Sequence, residues 1–175
     1  ANDAVETLNH VHIRGRMEMI NSNTHGTIYV DYAHNYASLK RLLAFLKRQT
    51  NAGKVTVVLG ATGDKGISRR PGFGKALTEE QPDEVILTTD DPGFEDPMTI
   101  AREIDSYIDH DKVKHIQFEM DRETAIKKAI DGSENDDIVV LAGKGEDPYQ
   151  KVNGEDVPYP TDVKIARDYI NELEK

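Results

Sequence analysis

The stretch Lys54–Gly66, KVTVVLGATGDKG, decides the fold. Val55, Thr56, Val57, Val58 and Leu59 form a short run of mostly β-branched residues, which suits a buried strand. The run stops at Gly60 and passes into a loop carrying Gly63, Asp64, Lys65 and Gly66, the residue types of a turn at a strand end. Three further segments follow the same plan: Asp83–Thr88 (DEVILT), Lys112–Phe118 (KVKHIQF) and Asp137–Ala142 (DIVVLA). Each reads as a short strand.

Helical patterns lie between them. In Ser38–Arg48, Leu39, Leu42, Leu43 and Leu46 recur at i, i+3, i+4 and i+7. Asp96–Tyr107 opens with an N-cap aspartate followed by proline at the first helical position. Thr124–Ile130 places Ala125, Ile126, Ala129 and Ile130 on one face, with Gly132 closing it. A last helix starts at Thr161–Asp162 and runs to the end. Upstream, Arg16–Ile20 and Thr27–Asp31 predict a strand pair across a polar turn. Strands alternating with helices of this length imply an α/β fold, a Rossmann-like three-layer sandwich with a mainly parallel sheet. Its working edge is expected where loops follow the strand C-termini. Residues 1–15 carry no clear pattern and read as a lead-in; residues 16–175 read as one domain.

Composition narrows the classes. The chain has 175 residues, 37% hydrophobic and 31% charged, so it is neither a disordered segment nor a membrane span. It has no cysteine, which excludes a disulfide scaffold, a thiolate zinc site and a cysteine nucleophile. No apolar region follows a basic start, so no signal peptide is expected and a cytoplasmic location is the default. The net charge of −10 is unevenly spread. Residues 1–80 hold 11 Lys and Arg against 7 Asp and Glu, a balance of +4; residues 81–175 hold 11 against 25, a balance of −14. An acidic chain without a basic run argues against nucleic acid as a partner.

The strand ends hold the unusual residues. They are Asp31-Tyr32-Ala33-His34, Gly60-Ala61-Thr62-Gly63-Asp64-Lys65-Gly66, Thr89-Asp90-Asp91-Pro92-Gly93 and Ala142-Gly143-Lys144-Gly145-Glu146-Asp147-Pro148. Each alone is compatible with plain turn chemistry, and His34 alone with a structural histidine. No GxxxxGK[ST], no GxSxG and no HxxxH occurs in the chain, and Pro148 replaces the third glycine of a dinucleotide fingerprint. Together the loops offer both charge signs. Lys65 and Lys144 could hold carboxylate or phosphate oxygens, while Asp90, Asp91, Glu146 and Asp147 could hold an ammonium group. A zwitterionic or dibasic amino acid fits such a site.

These loops, in this order, resemble the C-terminal domain of the Mur ligases, closest to the branch that adds the third residue of the peptidoglycan stem peptide. The resemblance runs from about Arg14 to the last helix through Gly15-Arg16-Met17-Glu18, Asp31-Tyr32-Ala33-His34, Arg69-Arg70-Pro71, Asp90-Asp91-Pro92 and Ala142-Gly143-Lys144-Gly145. It implies an ATP-dependent amide ligase in which a carboxylate of a UDP-N-acetylmuramoyl-dipeptide is activated as an acyl phosphate and attacked by an amino acid's amine. ATP and Mg²⁺ would be bound mainly by a central domain, and the UDP-sugar by an N-terminal one. Those domains would be this chain's partners, residues 1–15 would lead in from the central one, and no membrane is involved. By resemblance, Arg16, Asp31 and His34 lie on the nucleotide side, Arg16 toward phosphate and Asp31 near the ribose. Lys65, Asp90, Asp91, Gly143, Glu146 and Asp147 would bind the amino acid; Lys65 stands where diaminopimelate-adding members have an arginine for its carboxylate. The resemblance places no catalytic residue and no metal ligand in this chain.

One departure bears on substrate. Diaminopimelate-adding members carry Arg at the fourth position of the Asp90-Asp91-Pro92 motif, where this chain has Gly93. The expected amino acid is therefore L-lysine, with meso-diaminopimelate or another amino acid as the alternative. Other readings of the loops are a non-catalytic amino-acid or nucleotide-binding module, a folylpolyglutamate- or cyanophycin-type ligase, and a phosphoacceptor receiver built on Asp90, Asp91 and Lys144.

Overall fold

The computed structural model describes residues 17–175; Arg16 and the 1–15 lead-in lie outside the described residues. A six-stranded sheet runs in the order β1 (Glu18–Ile20), β2 (Thr27–Asp31), β6 (Ile138–Ala142), β3 (Val55–Leu59), β4 (Glu84–Leu87), β5 (Ile116–Phe118). Every neighbouring pair is parallel except β1 with β2, which are antiparallel across the polar turn. One face carries α1 (Tyr36–Lys47), α2 (Arg70–Glu80) and α3 (Pro97–Ser106); the other carries α4 (Arg122–Asp131) and α5 (Asp162–Leu173).

The two-face burial read from Val55–Leu59 holds. Val57 and Leu59 enter a core with Leu39, Leu43, Phe73 and Leu77, whereas Val58 enters a second core with Ile126, Ile130, Val163 and Ile170. In β6, Val140 faces the first core and Val139 and Leu141 the second. Each such side chain, fully removed from water, stabilises the fold by about 1.5–3 kcal/mol.

The helices begin where their caps dictate. Asn35 caps α1, which starts at Tyr36, two residues before Ser38: its side chain accepts from the Ser38 amide at 2.9 Å while Ser38 Oγ accepts from the Asn35 amide at 3.2 Å. Asp96 caps α3 ahead of Pro97, as expected. Asp121 caps α4, so that helix also starts earlier than its apolar stripe. Gly132 closes α4 in a right-handed conformation, with φ −78.

Three segments differ from expectation. Strand β5 covers only Ile116–Phe118, because the Lys112 and Val113 amides donate to Asp109 O and close a turn after α3. Helix α2 has no counterpart in the apolar pattern. Its sequence, RPGFGKALTEE, carries a proline and two glycines that mask the helical signal. Gly74 is there for close approach: a Cβ on it would lie 2.4 Å from Tyr107 Cβ and 2.7 Å from the Tyr107 backbone. The third is a hairpin, β7 (Tyr149–Val152) with β8 (Glu155–Pro158), separate from the main sheet and largely exposed. It lacks apolar alternation, but its Asn153-Gly154 turn, with φ 51 and 80, is a hairpin signal present in the sequence. Among the described residues no helix is long and apolar enough to cross a membrane.

Candidate functional site

Parallel register brings the strand ends together. Asp31 and Leu59 both pair with Ala142, and Leu59 pairs with Leu87, so the loops after β2, β3, β4 and β6 share one sheet edge. This is the expected working edge. Two clefts open on it. The first encloses about 260 Å³ and is lined by His34, Arg69, Asp90, Asp91, Gly143 and Asp147, among others. The second, about 620 Å³, is lined by Lys65, Arg69, Asp91, Gly93, Lys151 and Asp156, among others. Arg69 and Asp91 belong to both.

Asp90 is 7% exposed, and its carboxyl group has no hydrogen-bond partner among the described residues. Burial pushes its pKa up to about 6, against the opposing pull of the positive charges on Arg122 and Lys144. Gly143 lies against it; a Cβ at Gly143 would sit 2.8 Å from Asp90 Oδ2. Asp91 is already engaged, since its Oδ1 accepts from Lys144 Nζ at 3.0 Å and from the Lys151 amide at 3.0 Å. Asp147 receives the Tyr32 hydroxyl at 3.3 Å, and the same hydroxyl accepts from the Glu146 amide at 3.1 Å. His34 is exposed, with Nδ1 2.8 Å from Tyr32 O.

Two expected site residues sit apart from this group. Asp31 does not line either cleft; its carboxylate accepts from the Met17 amide and the Ala33 amide, both at 2.8 Å. It borders instead a shallow groove with Met17, Arg41 and Phe45 on the flank of the sheet. Glu146 lines neither cleft. Lys144 also corrects the sequence reading. Rather than offering its ammonium to ligand oxygens, it is fully buried, bonded to Asp91 and to Tyr149 O at 2.7 Å, and lies 5.5 Å from the centre of the Tyr159 ring. It ties the two acidic loops together.

Gly93 adopts φ +60, and a Cβ there would lie 2.0 Å from Asp64 Oδ2, whose carboxylate accepts from the Phe94 amide. A side chain at this position requires the Asp64 carboxylate to swing away and sits on a left-handed backbone that favours glycine.

Several residues that shape the site carry no sequence signal. Arg122 is buried, bonds Asp162 through Nε at 2.8 Å and a terminal nitrogen at 2.7 Å, and donates to Thr89 O and Ala142 O, both at 3.1 Å. It therefore locks the ends of β4 and β6 to the start of α5. Arg70 is buried against Glu95 and Glu103 and reaches Thr62 O, pinning the loop after β3 to the loop before α3. Glu95 is held below its usual carboxylate range, chiefly by its hydrogen bond from Arg70. Its neighbour Arg69 is exposed and has no hydrogen bond or ion pair among the described residues. In sequence the two arginines look alike.

Among the described residues, the edge thus presents cations without a side-chain partner (Lys65, Arg69, Lys151) beside carboxylates of which Asp90 and Asp156 accept no hydrogen bond. Opposite charges this close could hold the two ends of a zwitterion. Among the described residues, no group of three His, Asp or Glu side chains could hold a metal ion.

The family model described as "Mur ligase, glutamate ligase domain" matches residues 15–145. The chain is 99% identical over 175 residues to a UDP-N-acetylmuramyl-tripeptide synthetase of Limosilactobacillus reuteri, covering all of this chain and 34% of that protein. It is 48% identical over 160 residues to a UDP-N-acetylmuramoyl-L-alanyl-D-glutamate–L-lysine ligase of Enterococcus faecalis, covering 91% of this chain and 31% of that one. A solved UDP-N-acetylmuramoyl-L-alanyl-D-glutamate–2,6-diaminopimelate ligase superimposes with a TM-score of 0.83 at 32% identity, over 95% of this chain and 33% of that chain. The chain spans about a third of the length of the curated relatives it matches.

Proposed function

The chain belongs to the Mur ligase family through its glutamate ligase domain, and from that premise we propose that residues 16–175 form the amino-acid-binding C-terminal domain of an ATP-dependent cytoplasmic amide ligase of peptidoglycan synthesis. The ligase joins L-lysine to UDP-N-acetylmuramoyl-L-alanyl-D-glutamate. The observation that carries this reading is the mixed-charge edge inside the family match, with free cations and uncommitted carboxylates around two adjoining clefts.

In this chain the chemistry is mainly placement. Lys65 and Lys151 hold the carboxylate of the amino acid, and the acidic groups Asp90, Asp91 and Asp147 surround its amino end. Lys144 holds Asp91 through a buried bond, and Arg122 holds the Thr89 and Ala142 carbonyls next to Asp90 and Gly143. Fixing the amine against an activated carboxylate replaces a bimolecular encounter with an oriented one. ATP, when bound, supplies the phosphoryl group that turns a carboxylate oxygen into a good leaving group. His34 and Arg69 suit a nucleotide's phosphates from the first cleft, with Arg16 assigned by resemblance alone. Asp31, whose oxygens serve two backbone amides, contributes by shaping the loop that carries His34. Mg²⁺ finds no group of three His, Asp or Glu side chains to hold it among the described residues.

Lysine is favoured by Gly93. An amino acid with a second carboxylate meets no guanidinium at that position, and an unpaired buried group costs about 1–3 kcal/mol. The lysine ligase of Enterococcus faecalis points the same way. A second reading, meso-diaminopimelate, draws on Arg69 and Lys151 as alternative cations in the second cleft.

The Limosilactobacillus reuteri synthetase, 99% identical over this segment, allows the test. ATP-dependent product formation is measured with L-lysine and with meso-diaminopimelate. Lysine is expected to lead by about tenfold or more in kcat/KM. A lead for diaminopimelate would overturn the lysine assignment, and no amide product with any amino acid would overturn the ligase reading. The 175-residue chain by itself is expected to form no product, since no GxxxxGK[ST] phosphate loop occurs in it.

A further inference from the structure

We propose that Glu95 is a positioning residue of the ligase: its carboxylate holds a strained turn at Asp64 and so fixes where Lys65 presents its ammonium. The inference rests on the ligase reading above, in which Lys65 receives the carboxylate of the amino acid.

The loop after β3 makes an uncommon turn just before Lys65. The Lys65 amide donates to Gly63 O at 2.6 Å, closing a three-residue turn centred on Asp64, and Asp64 has φ +62. That is the rarer, strained hand of such a turn, and a residue with a side chain keeps it only where the surroundings impose it. Three contacts impose it. The Gly63 amide donates to Asp91 O at 2.7 Å, the Phe94 amide donates to the Asp64 carboxylate at 3.1 Å, and the Asp64 amide donates to Glu95 Oε2 at 2.7 Å. The last two are charge-assisted, and Glu95 supplies the carboxylate that reaches the turn from outside it.

Glu95 is itself held in place. Buried Arg70 donates to Glu95 Oε1 at 3.1 Å and to Oε2 at 2.6 Å, and to Glu103 at 2.5 Å. The Arg70 bonds first, and the Asp64 amide next, keep the Glu95 carboxyl below its usual range, so it is ionised at neutral pH. The two glutamates that share Arg70 are almost equally exposed, 28% for Glu95 and 33% for Glu103. Among the described residues, the Glu103 carboxylate has no bond to the turn. Glu95 therefore does two things with one carboxylate, pairing Arg70 and setting the backbone from which Lys65 leaves into the second cleft. Without it the turn relaxes, and Lys65 has to be ordered again each time a carboxylate binds.

The test is kinetic, in the Limosilactobacillus reuteri synthetase numbered as here. Glu95→Ala and Glu103→Ala each leave Arg70 one carboxylate and the Thr62 carbonyl, so both are expected to fold, with similar shifts in Tm. Glu95→Ala is expected to raise KM for L-lysine about five- to tenfold, with KM for ATP and for the UDP-linked dipeptide unchanged. Glu103→Ala is expected to leave all three KM values unchanged. Glu95→Asp keeps the charge beside Arg70 but draws back from the Asp64 amide, and it is expected to raise the lysine KM as well. Lys65→Met supplies the second arm: adding Glu95→Ala to it is expected to raise the lysine KM no further, because both act at one point. An unchanged lysine KM in Glu95→Ala and Glu95→Asp overturns the positioning role while the ligase reading stands. Equal rises in Glu95→Ala and Glu103→Ala, or additive rises in the double variant, do the same. A wild-type enzyme that does not incorporate lysine overturns both.

Discussion

Asp90 is the residue at which burial and chemistry conflict. Its carboxyl has no hydrogen-bond partner among the described residues, and burial raises its pKa to about 6 from an unfolded value near 3.8. Between those values the folded state binds the extra proton, so this group's contribution to stability falls as pH rises from 4 to 6. Above pH 6 both states are ionised and the cost is constant, about 2–3 kcal/mol. Asp90→Asn is therefore expected to flatten the loss of stability between pH 4 and 6, measured by urea denaturation of both proteins across that range. An identical slope in wild type and variant would show that the carboxyl is solvated. The position of Asp90 at a strand end was legible, since Asp83–Thr88 reads directly as a strand running into Asp90-Asp91-Pro92-Gly93. Its isolation was not. That depends on Lys144 bonding Asp91 instead, a choice between two adjacent acids made by packing.

At the scale of elements, the two glycine-bearing helices behave oppositely. In α2, Gly74 lets the chain approach Tyr107, so Gly74→Ala forces a Cβ to within 2.4 Å of that residue. A loss of about 1–3 kcal/mol is expected, as for other overpacked contacts. At Gly132 the nearest atom to a new Cβ is Lys128 O at 3.4 Å, and φ is −78. Gly132→Ala is expected to be neutral or to stabilise by up to about 1 kcal/mol through the unfolded chain. Thermal melts of the two variants give this comparison, and similar shifts in both would contradict the packing assigned to α2. Apolar stripes announced α1 and α4, the Asp96-Pro97 start announced α3, and Thr161-Asp162 announced α5. Helix α2 also contacts its neighbours through glycines, which leave no apolar signature. The hairpin was silent for the complementary reason, since it buries little and needs no apolar period; only Asn153-Gly154 marked it.

For the whole molecule, Arg122 joins the two sides of the fold's function. It spans from the start of α4 to Asp162 at the start of α5 and holds the carbonyls of Thr89 and Ala142 at the ends of β4 and β6. Arg122→Ala leaves the Asp162 charge buried and unpaired, and a loss of about 3–5 kcal/mol is expected. Chemical denaturation reads that loss, and a loss under 1 kcal/mol would mean that Asp162 finds water or another donor. The charge split along the sequence also takes form at this scale. Lys65 and Arg69 come from the +4 segment and Asp90, Asp91 and Asp156 from the −14 segment, and the parallel sheet sets them around the same two clefts.

By itself the sequence determined the layers and the edge: strands apolar on both faces must be covered on both, and parallel strands must end together. Those are local consequences of side-chain period and connection length. Only the tertiary structure decided which charges remain free at that edge. Lys144 and Asp91 are 53 residues apart and Arg122 and Asp162 are 40 apart, yet each pair is spent internally, whereas Arg69, Lys65 and Asp156 have no such partner among the described residues. Whether a charge is compensated depends on what reaches it through space, and no local pattern of residues carries that information.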